Sequence, residues 1–269
     1  MSRIKEAFAG GKAFIPFLTC GDPDLETTEA IVHAMAQAGA DLIELGIPFS
    51  DPTAEGPVIQ AANARALSGG VTADSIFALV RRLRRTLTLP LVFMTYANVV
   101  FSYGTERFLS AAAAAAGVDG LILPDVPFEE KEEFAPLCRK YGLDLISLIA
   151  PTSAGRITQI ARAAEGFVYC VSSLGVTGMR RQITTDVGAM VELVRRANPG
   201  IPCAVGFGIS TPEQAAAMAA VSDGAIVGSA IVTLAGRYGR DAVPAVRDYV
   251  QAMKAAVSAP QRPAEADPP

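Results

Sequence analysis

The chain has 269 residues, of which 51% are hydrophobic and 7% aromatic, with no tryptophan. That length suits one large α/β unit. Its net charge is −4 and no basic stripe runs along it, which speaks against nucleic-acid binding. Each long apolar stretch meets Asp, Glu, Gly or Pro before the ~20 residues a membrane span needs, so no membrane helix is expected.

In chain order, residues 1–8 (Met-Ser-Arg-Ile-Lys-Glu-Ala-Phe) read as a short amphipathic helix rather than a signal peptide. Apolar runs then recur at 13–18, 42–45, 89–95, 120–123, 143–149, 166–171, 203–205 and 224–227. Near-continuous hydrophobicity of this kind marks parallel strands buried on both faces. Helical patterns lie between them at 25–38, 58–67, 73–87, 105–116, 128–141, 157–164, 187–197 and 212–220. Repeated βα units predict an α/β fold, a (β/α)8 TIM barrel over residues 1–257. An additional N-terminal helix and an extra helix after strand two are expected. Residues 258–269, rich in Pro and Ala, are expected to form a disordered tail.

A weak repeat runs through the pattern: Ala-Gly-Ala-Asp41, Ala-Gly-Val-Asp119 and Val-Ser-Asp223 each close a helix and lead into an apolar strand. The segment 172–185 is long and polar and carries Arg180 and Arg181, which read as solvated loop surface. Long βα loops at the active face often serve as lids. Cys20, Cys138, Cys170 and Cys203 are widely spaced and His33 is the only histidine. Metal ligation is not expected; buried, reduced thiols in a cytoplasmic protein are.

The segment from Asp41 to Pro57 says most about chemistry. Glu44 lies inside the apolar run Leu42-Ile43-Glu44-Leu45, and Asp51 and Glu55 follow on a loop stiffened by Gly and Pro. A buried carboxylate costs several kcal/mol, roughly, when it loses water, and strands that carry one often end at acid–base sites. The plainer reading makes Glu44 the outward residue of a half-buried strand. Further on, Val205-Gly-Phe-Gly-Ile-Ser210 follows strand seven and Gly228-Ser229 follows strand eight. Gly208 can bring backbone N–H groups close to an anion, and Ser210 or Thr211 with Pro212 opens a helix. Gly228 and Ser229 start another helix whose N-terminus favours negative charge. In (β/α)8 enzymes these two loops commonly hold phosphate.

Several segments together resemble the tryptophan synthase alpha family. They are Phe14-Ile-Pro-Phe-Leu-Thr-Cys-Gly-Asp-Pro23, Glu44-Leu-Gly-Ile-Pro-Phe-Ser-Asp-Pro52, Gly56-Pro-Val-Ile-Gln60, Met94-Thr-Tyr-Ala-Asn98, Pro124-Asp-Val-Pro127, Gly175-Val-Thr-Gly178, Gly206-Phe-Gly-Ile-Ser210 and Gly228-Ser-Ala230. The resemblance spans nearly the whole chain. It implies a carbon–carbon lyase that splits indole-3-glycerol phosphate into indole and glyceraldehyde 3-phosphate. By resemblance Glu44 is the general acid–base, and Glu55 is the second carboxylate, accepting the indole N–H. The family pattern has Asp in that place, so Glu55 is one methylene longer; it is still expected to point into the pocket.

The same resemblance implies that Phe17, Ile59, Tyr96, Tyr169 and Phe207 line the indole pocket, and that Thr177 fastens the lid and orients the loop bearing Glu55 or Asp51. Gly178, Gly208, Gly228 and Ser229 would bind the phosphate. The implied partner is a beta subunit in an alpha-beta-beta-alpha tetramer, with pyridoxal phosphate held only by beta and no cofactor in this chain. Asp51, Pro52, Asn98, Phe101 and Pro127 would face beta. The alternatives are a stand-alone lyase releasing free indole, and a weakly active alpha-like subunit that mainly activates beta.

Overall fold

The structure, a computed structural model, describes residues 3–172 and 186–259, the side chains of residues 113 and 114 excepted. Its strand segments are β1 (Ala13–Thr19), β2 (Ile43–Gly46), β3 (Leu91–Met94), β4 (Gly120–Ile122), β5 (Asp144–Leu145), β6 (Ser147–Ile149), β7 (Val168–Val171), β8 (Cys203–Gly206) and β9 (Gly224–Val227). All pair in parallel, in the order β5-β4-β3-β2-β1-β9-β8-β7-β6. The two ends of that order, β5 and β6, are neighbours in the chain. One broken strand therefore closes the wall, and the architecture is the expected barrel ringed by helices.

Side-chain alternation divides the core in two. Along β1, Ala13, Ile15 and Phe17 join the cluster inside the barrel, while Phe14 and Leu18 pack outward under the helices. On β2 and the residue before it, Leu42 faces in and Ile43 and Leu45 face out. Glu44 therefore takes an inward place, because successive side chains alternate across the sheet. The N-terminal helix, Arg3–Glu6, sends fully buried Ile4 into the inner cluster. Gly120 leaves room for it: a Cβ there would stand 2.9 Å from Ile4 Cδ1.

The repeated Asp is a clamp between neighbouring strands. Asp41 Oδ2 accepts the Phe14 N–H at 2.7 Å, Asp119 Oδ2 accepts that of Leu91 at 2.8 Å, and Asp223 Oδ2 accepts that of Cys203 at 2.9 Å. Each Asp precedes one strand and holds the start of the strand beside it. A cation completes each clamp: Lys254 on Asp41, Arg3 and Arg84 on Asp119, and Arg195 on Asp223. All three lie at the N-terminal end of the barrel wall.

Some element boundaries differ from expectation for local reasons. The predicted strand 143–149 divides because its first half pairs with β4 and its second with β7. β4 stops early, before Pro124, which has no N–H to donate. The predicted strand 166–171 starts late, since Gly166 is left-handed at φ 64°. The helical pattern 128–141 forms a 3-10 turn, Phe128–Glu133, and then an α-helix, Ala135–Tyr141. The pattern 105–116 begins as an α-helix, Thr105–Leu109, and widens to a π-helix over Ser110–Ala116. Ser258, assigned to the tail, ends the helix Ala242–Ser258, which packs on the helix Leu25–Gln37. Residues 260–269 lie outside the described residues.

The clamps differ in depth, and the difference is measurable. The Asp119 and Arg84 side chains are 7% and 12% exposed, against 33% and 42% for Asp223 and Arg195. Removing one partner of a buried pair strands the other charge, at about 3–5 kcal/mol; an open hydrogen-bonded pair is worth about 1 kcal/mol. Urea unfolding should show Asp119→Ala losing several-fold more stability than Asp223→Ala. Equal losses would refute this ranking.

Candidate active site

A pocket opens at the C-terminal ends of the strands. Glu44, 2% exposed, lines it together with Phe17, Ile59, Met94 and Tyr169. Phe207, Gly208, Ile209, Ile226, Gly228 and Ser229 complete the lining. Four strands and one helix supply the apolar walls: Phe17 from β1, Met94 from β3, Tyr169 from β7, Ile226 from β9, and Ile59 from the helix Pro57–Ser68. The plainer reading of Glu44 as an outward residue is thereby ruled out.

Two glycines make this pocket possible. A Cβ on Gly46 would stand 2.6 Å from Phe17 Cζ, and one on Gly206 would stand 2.5 Å from the Tyr169 hydroxyl oxygen. Both glycines end their strands, so the rings lie over bare backbone. Tyr169 also meets Phe207 edge-on, with ring centroids 6.0 Å apart.

Burial sets the electrostatics. The Glu44 carboxyl is pushed up to about 8, first by loss of water and then by the nearby Glu55 charge. Glu44 Oε1 has no hydrogen-bond partner among the described residues. Glu55 is also buried, at 4% exposure, and is pushed up to about 7 by burial, opposed by a hydrogen bond from Asn63. Asn63 Nδ2 donates to Glu55 Oε2 at 2.8 Å, and Gln60 Nε2 donates to the Glu55 carbonyl at 2.7 Å. Glu55 is thus buried and near enough for its charge to act on Glu44, but it is not among the residues that line the pocket, where it was expected to point; its carboxyl is taken up by Asn63 instead.

The loop after β8 is held in an unusual backbone. Phe207 has φ 74°, the only positive φ of a non-glycine among the described residues, and Gly208 follows at 86°. Such a residue stores roughly 1–3 kcal/mol of strain. The surroundings hold it: the Ser172 hydroxyl donates to the Phe207 carbonyl, and the Tyr249 hydroxyl donates to the Ser210 carbonyl. Of Ser210 and Thr211, Thr211 caps the next helix, in a reciprocal box with Gln214. After β9, Gly228 caps the helix Ser229–Tyr238 with no side-chain bond to its first N–H groups. Gly208, Gly228 and Ser229 therefore border one mouth, and the first N–H groups of the helix Ser229–Tyr238, which receive no side-chain cap, suit an anion.

Not every expected residue lines the pocket. Tyr96 packs on Phe49, and its hydroxyl accepts the Ala54 N–H at 3.1 Å. It therefore supports the loop that carries Glu55 and stands outside the pocket wall. Thr177, Gly178, Arg180 and Arg181 lie outside the described residues. Asp51, Asn98, Phe101 and Pro127 are exposed and Pro52 is half-buried, all on segments beyond the ends of β2, β3 and β4. Sequence reasoning missed Met94, Ile209 and Ile226 as wall residues, since apolar residues in apolar runs carry no distinguishing mark. It also missed Asn63, whose signal was a polar residue between Ala62 and Ala66 on the buried helix face.

The raised Glu44 carboxyl makes a stability prediction. Unfolded, the group ionises near its ordinary 4.5; folded, near about 8. Folding therefore favours the protonated form, and that contribution is full below the lower value and lost as pH rises through the upper one. Glu44→Gln should flatten the fall of Tm across this window, leaving the smaller slope due to Glu55. Thermal melts at several pH values check this; an unchanged slope would refute it. For the pocket, Gly46→Ala or Gly206→Ala should displace the ring above it. Either variant should weaken ligand binding at least about tenfold, since real Cβ atoms do not tolerate such approaches.

Comparison with known proteins agrees with this fold. Residues 4–258 match the family described as tryptophan synthase alpha chain. The tryptophan synthase alpha chain of Shouchella clausii is 52% identical over 86% of this chain and 85% of its own length. That of Lacticaseibacillus casei is 46% identical over 96% of this chain and 97% of its own. A crystal structure of the Legionella pneumophila alpha chain superposes with a TM-score of 0.85 at 37% identity, covering 96% of this chain and 97% of that one. A structure of Mycobacterium tuberculosis tryptophan synthase gives 0.86 at 35%, covering 96% and 99%. With the barrel, the inward glutamate and the two glycine loops in the same chain, the protein belongs to the tryptophan synthase alpha chain family.

Proposed function

We propose that Glu44 and Glu55 carry out the reaction of this family in this chain. The reaction is the retro-aldol cleavage of indole-3-glycerol phosphate to indole and glyceraldehyde 3-phosphate, a carbon–carbon lyase step. A proton must reach C3 of the indole so that the ring can accept electrons. The side-chain hydroxyl then gives up its proton as the aldehyde forms, and the C–C electron pair returns to the ring. A carboxyl held near about 8 is protonated at neutral pH and can serve as the acid, and its conjugate base can receive the hydroxyl proton. Glu55 as an anion near the indole N–H would support the tautomer that cleaves. The observation that carries this reading is Glu44 itself, buried in the pocket with one oxygen unpartnered among the described residues.

The remaining roles combine the pocket's lining with what the family resemblance implies. Phe17, Ile59, Tyr169 and Phe207 hold the indole between apolar faces, joined by Met94 and Ile226. Gly208, Gly228 and Ser229 take the phosphate, as the uncapped start of the helix Ser229–Tyr238 favours. Tyr96 acts on substrate through the Glu55 loop. Thr177 and Gly178 keep their expected lid and phosphate roles. The indole passes to a beta subunit that holds pyridoxal phosphate, in an alpha-beta-beta-alpha assembly. Exposed Phe101, 49% accessible, supports a docking face beside Asp51, Pro52, Asn98 and Pro127. Among the described residues no helix is long and apolar enough to cross a membrane, and a cytoplasmic location fits this biosynthetic role.

Steady-state cleavage assays test the assignment. Glu44→Gln keeps size but cannot exchange the proton, so kcat should fall by about 10²–10⁴-fold with folding intact. Retention of more than about a tenth of the rate overturns the role. Gly208→Val or Gly228→Val should raise KM more than they lower kcat, because a branched side chain keeps the anion from the backbone. At Gly228 the first added carbon already stands 3.2 Å from the Phe17 ring.

A further inference from the structure

Asn63 sits on the helix Pro57–Ser68, on the face it shares with Ile59, Ala62 and Ala66. It is 4% exposed, and its amide meets the Glu55 carboxylate at 2.8 Å. A buried amide on an apolar helix face is unfavourable unless it is paired. Here its partner is one member of a buried carboxyl pair. Ile59, one turn earlier on that face, lines the pocket. Asn63 is therefore one helical turn from a wall residue and does not itself line the pocket.

The two carboxyls are treated unequally. Glu44 Oε1 lacks a partner among the described residues, while Glu55 Oε2 accepts an N–H. Two like charges close together in a dry site do not both ionise readily, and an N–H donor favours whichever oxygen carries charge. Asn63 from the helix acts on Glu55, and the Glu55 charge in turn raises Glu44 on β2. Tyr96 feels the Glu55 charge from the loop after β3, and Tyr169 on β7 feels that of Glu44. Both phenols are pushed up by burial and stay neutral, so neither decides which carboxyl is charged.

We propose that Asn63 is a positioning residue for the cleavage: its amide holds Glu55 as the anion of the pair and so leaves the proton on Glu44. This rests on the roles assigned above to Glu44 and Glu55. The amide touches neither substrate nor reacting atoms; it acts through Glu55. The proton that reaches the indole ring then starts on one defined carboxyl, and the negative charge sits on the other.

The test is a pH profile of kcat for indole-3-glycerol phosphate cleavage in wild type, Asn63→Leu, Asn63→Ser, Glu55→Gln and the Asn63→Leu/Glu55→Gln double variant. If Glu55 must be charged and Glu44 protonated, the wild-type profile is a bell whose limbs belong to the pair. Asn63→Leu should move the acid limb to higher pH and lower kcat at neutral pH by about tenfold or more, as expected for a hydrogen bond to a charged group. Asn63→Ser, which keeps a donor and little bulk, should show the same shift to a smaller degree and serves if the Leu variant does not fold. The double variant should be no slower than Glu55→Gln alone, because the amide would have no anion left to hold. An unmoved acid limb in both Asn63 variants, or losses that multiply in the double variant, overturns the inference while leaving Glu55 in place. A Glu55→Gln enzyme with wild-type rate and both limbs intact overturns the role of Glu55 itself.

Discussion

Among the described residues, Glu44 is buried without a counter-ion. The groups that set its charge are the loss of water and a second carboxyl, Glu55, and both favour the protonated form. Much of the upper barrel can be read as the support for that condition. Aromatic and aliphatic side chains from β1, β3, β7 and β9 keep water from the acid. The glutamate stays inside because its strand pairs on both sides, with Phe17 and Val92 in register beside it. An outward turn would require a one-residue slip that sends Leu42 under the helices and turns Ile43 and Leu45 into the barrel.

The two ends of the barrel are built by different physics. At the N-terminal end, Asp41, Asp119 and Asp223 tie strand starts to one another through backbone N–H groups and nearby cations. These bonds hold structure and carry no chemistry. At the C-terminal end, glycines replace side chains where space is needed, and the backbone accepts strain at Phe207. Fully satisfied polar groups at one end give a firm base on which an incompletely satisfied acid can be held at the other.

The pocket wall also shows why small residues matter as much as large ones. Phe17 and Tyr169 are read easily as indole-binding rings, yet neither could lie where it does with an alanine at Gly46 or Gly206. Substrate shape is therefore set jointly by rings and by the absence of Cβ atoms opposite them. Tyr96 contributes differently, because it steadies the loop around Ala54 and so the approach of Glu55 to its neighbour.

The barrel, the inward strand acid and the two glycine loops were legible in the residues alone. Each depends on local periodicity or on residue types at strand ends, which are read along one stretch of chain. The repeated Asp was visible too, but its meaning was not: its partners Phe14, Leu91 and Cys203 lie 20 to 28 residues away. Likewise, the apolar run at 143–149 gave no sign of changing partners midway, because that depends on where Pro124 ends β4 and where Gly166 delays β7. Packing in three dimensions was needed to set Asn63 against Glu55 and Glu55 beside Glu44. Helix packing and loop closure fix such contacts, and no periodicity along the chain encodes which buried carboxyl receives the Asn63 amide.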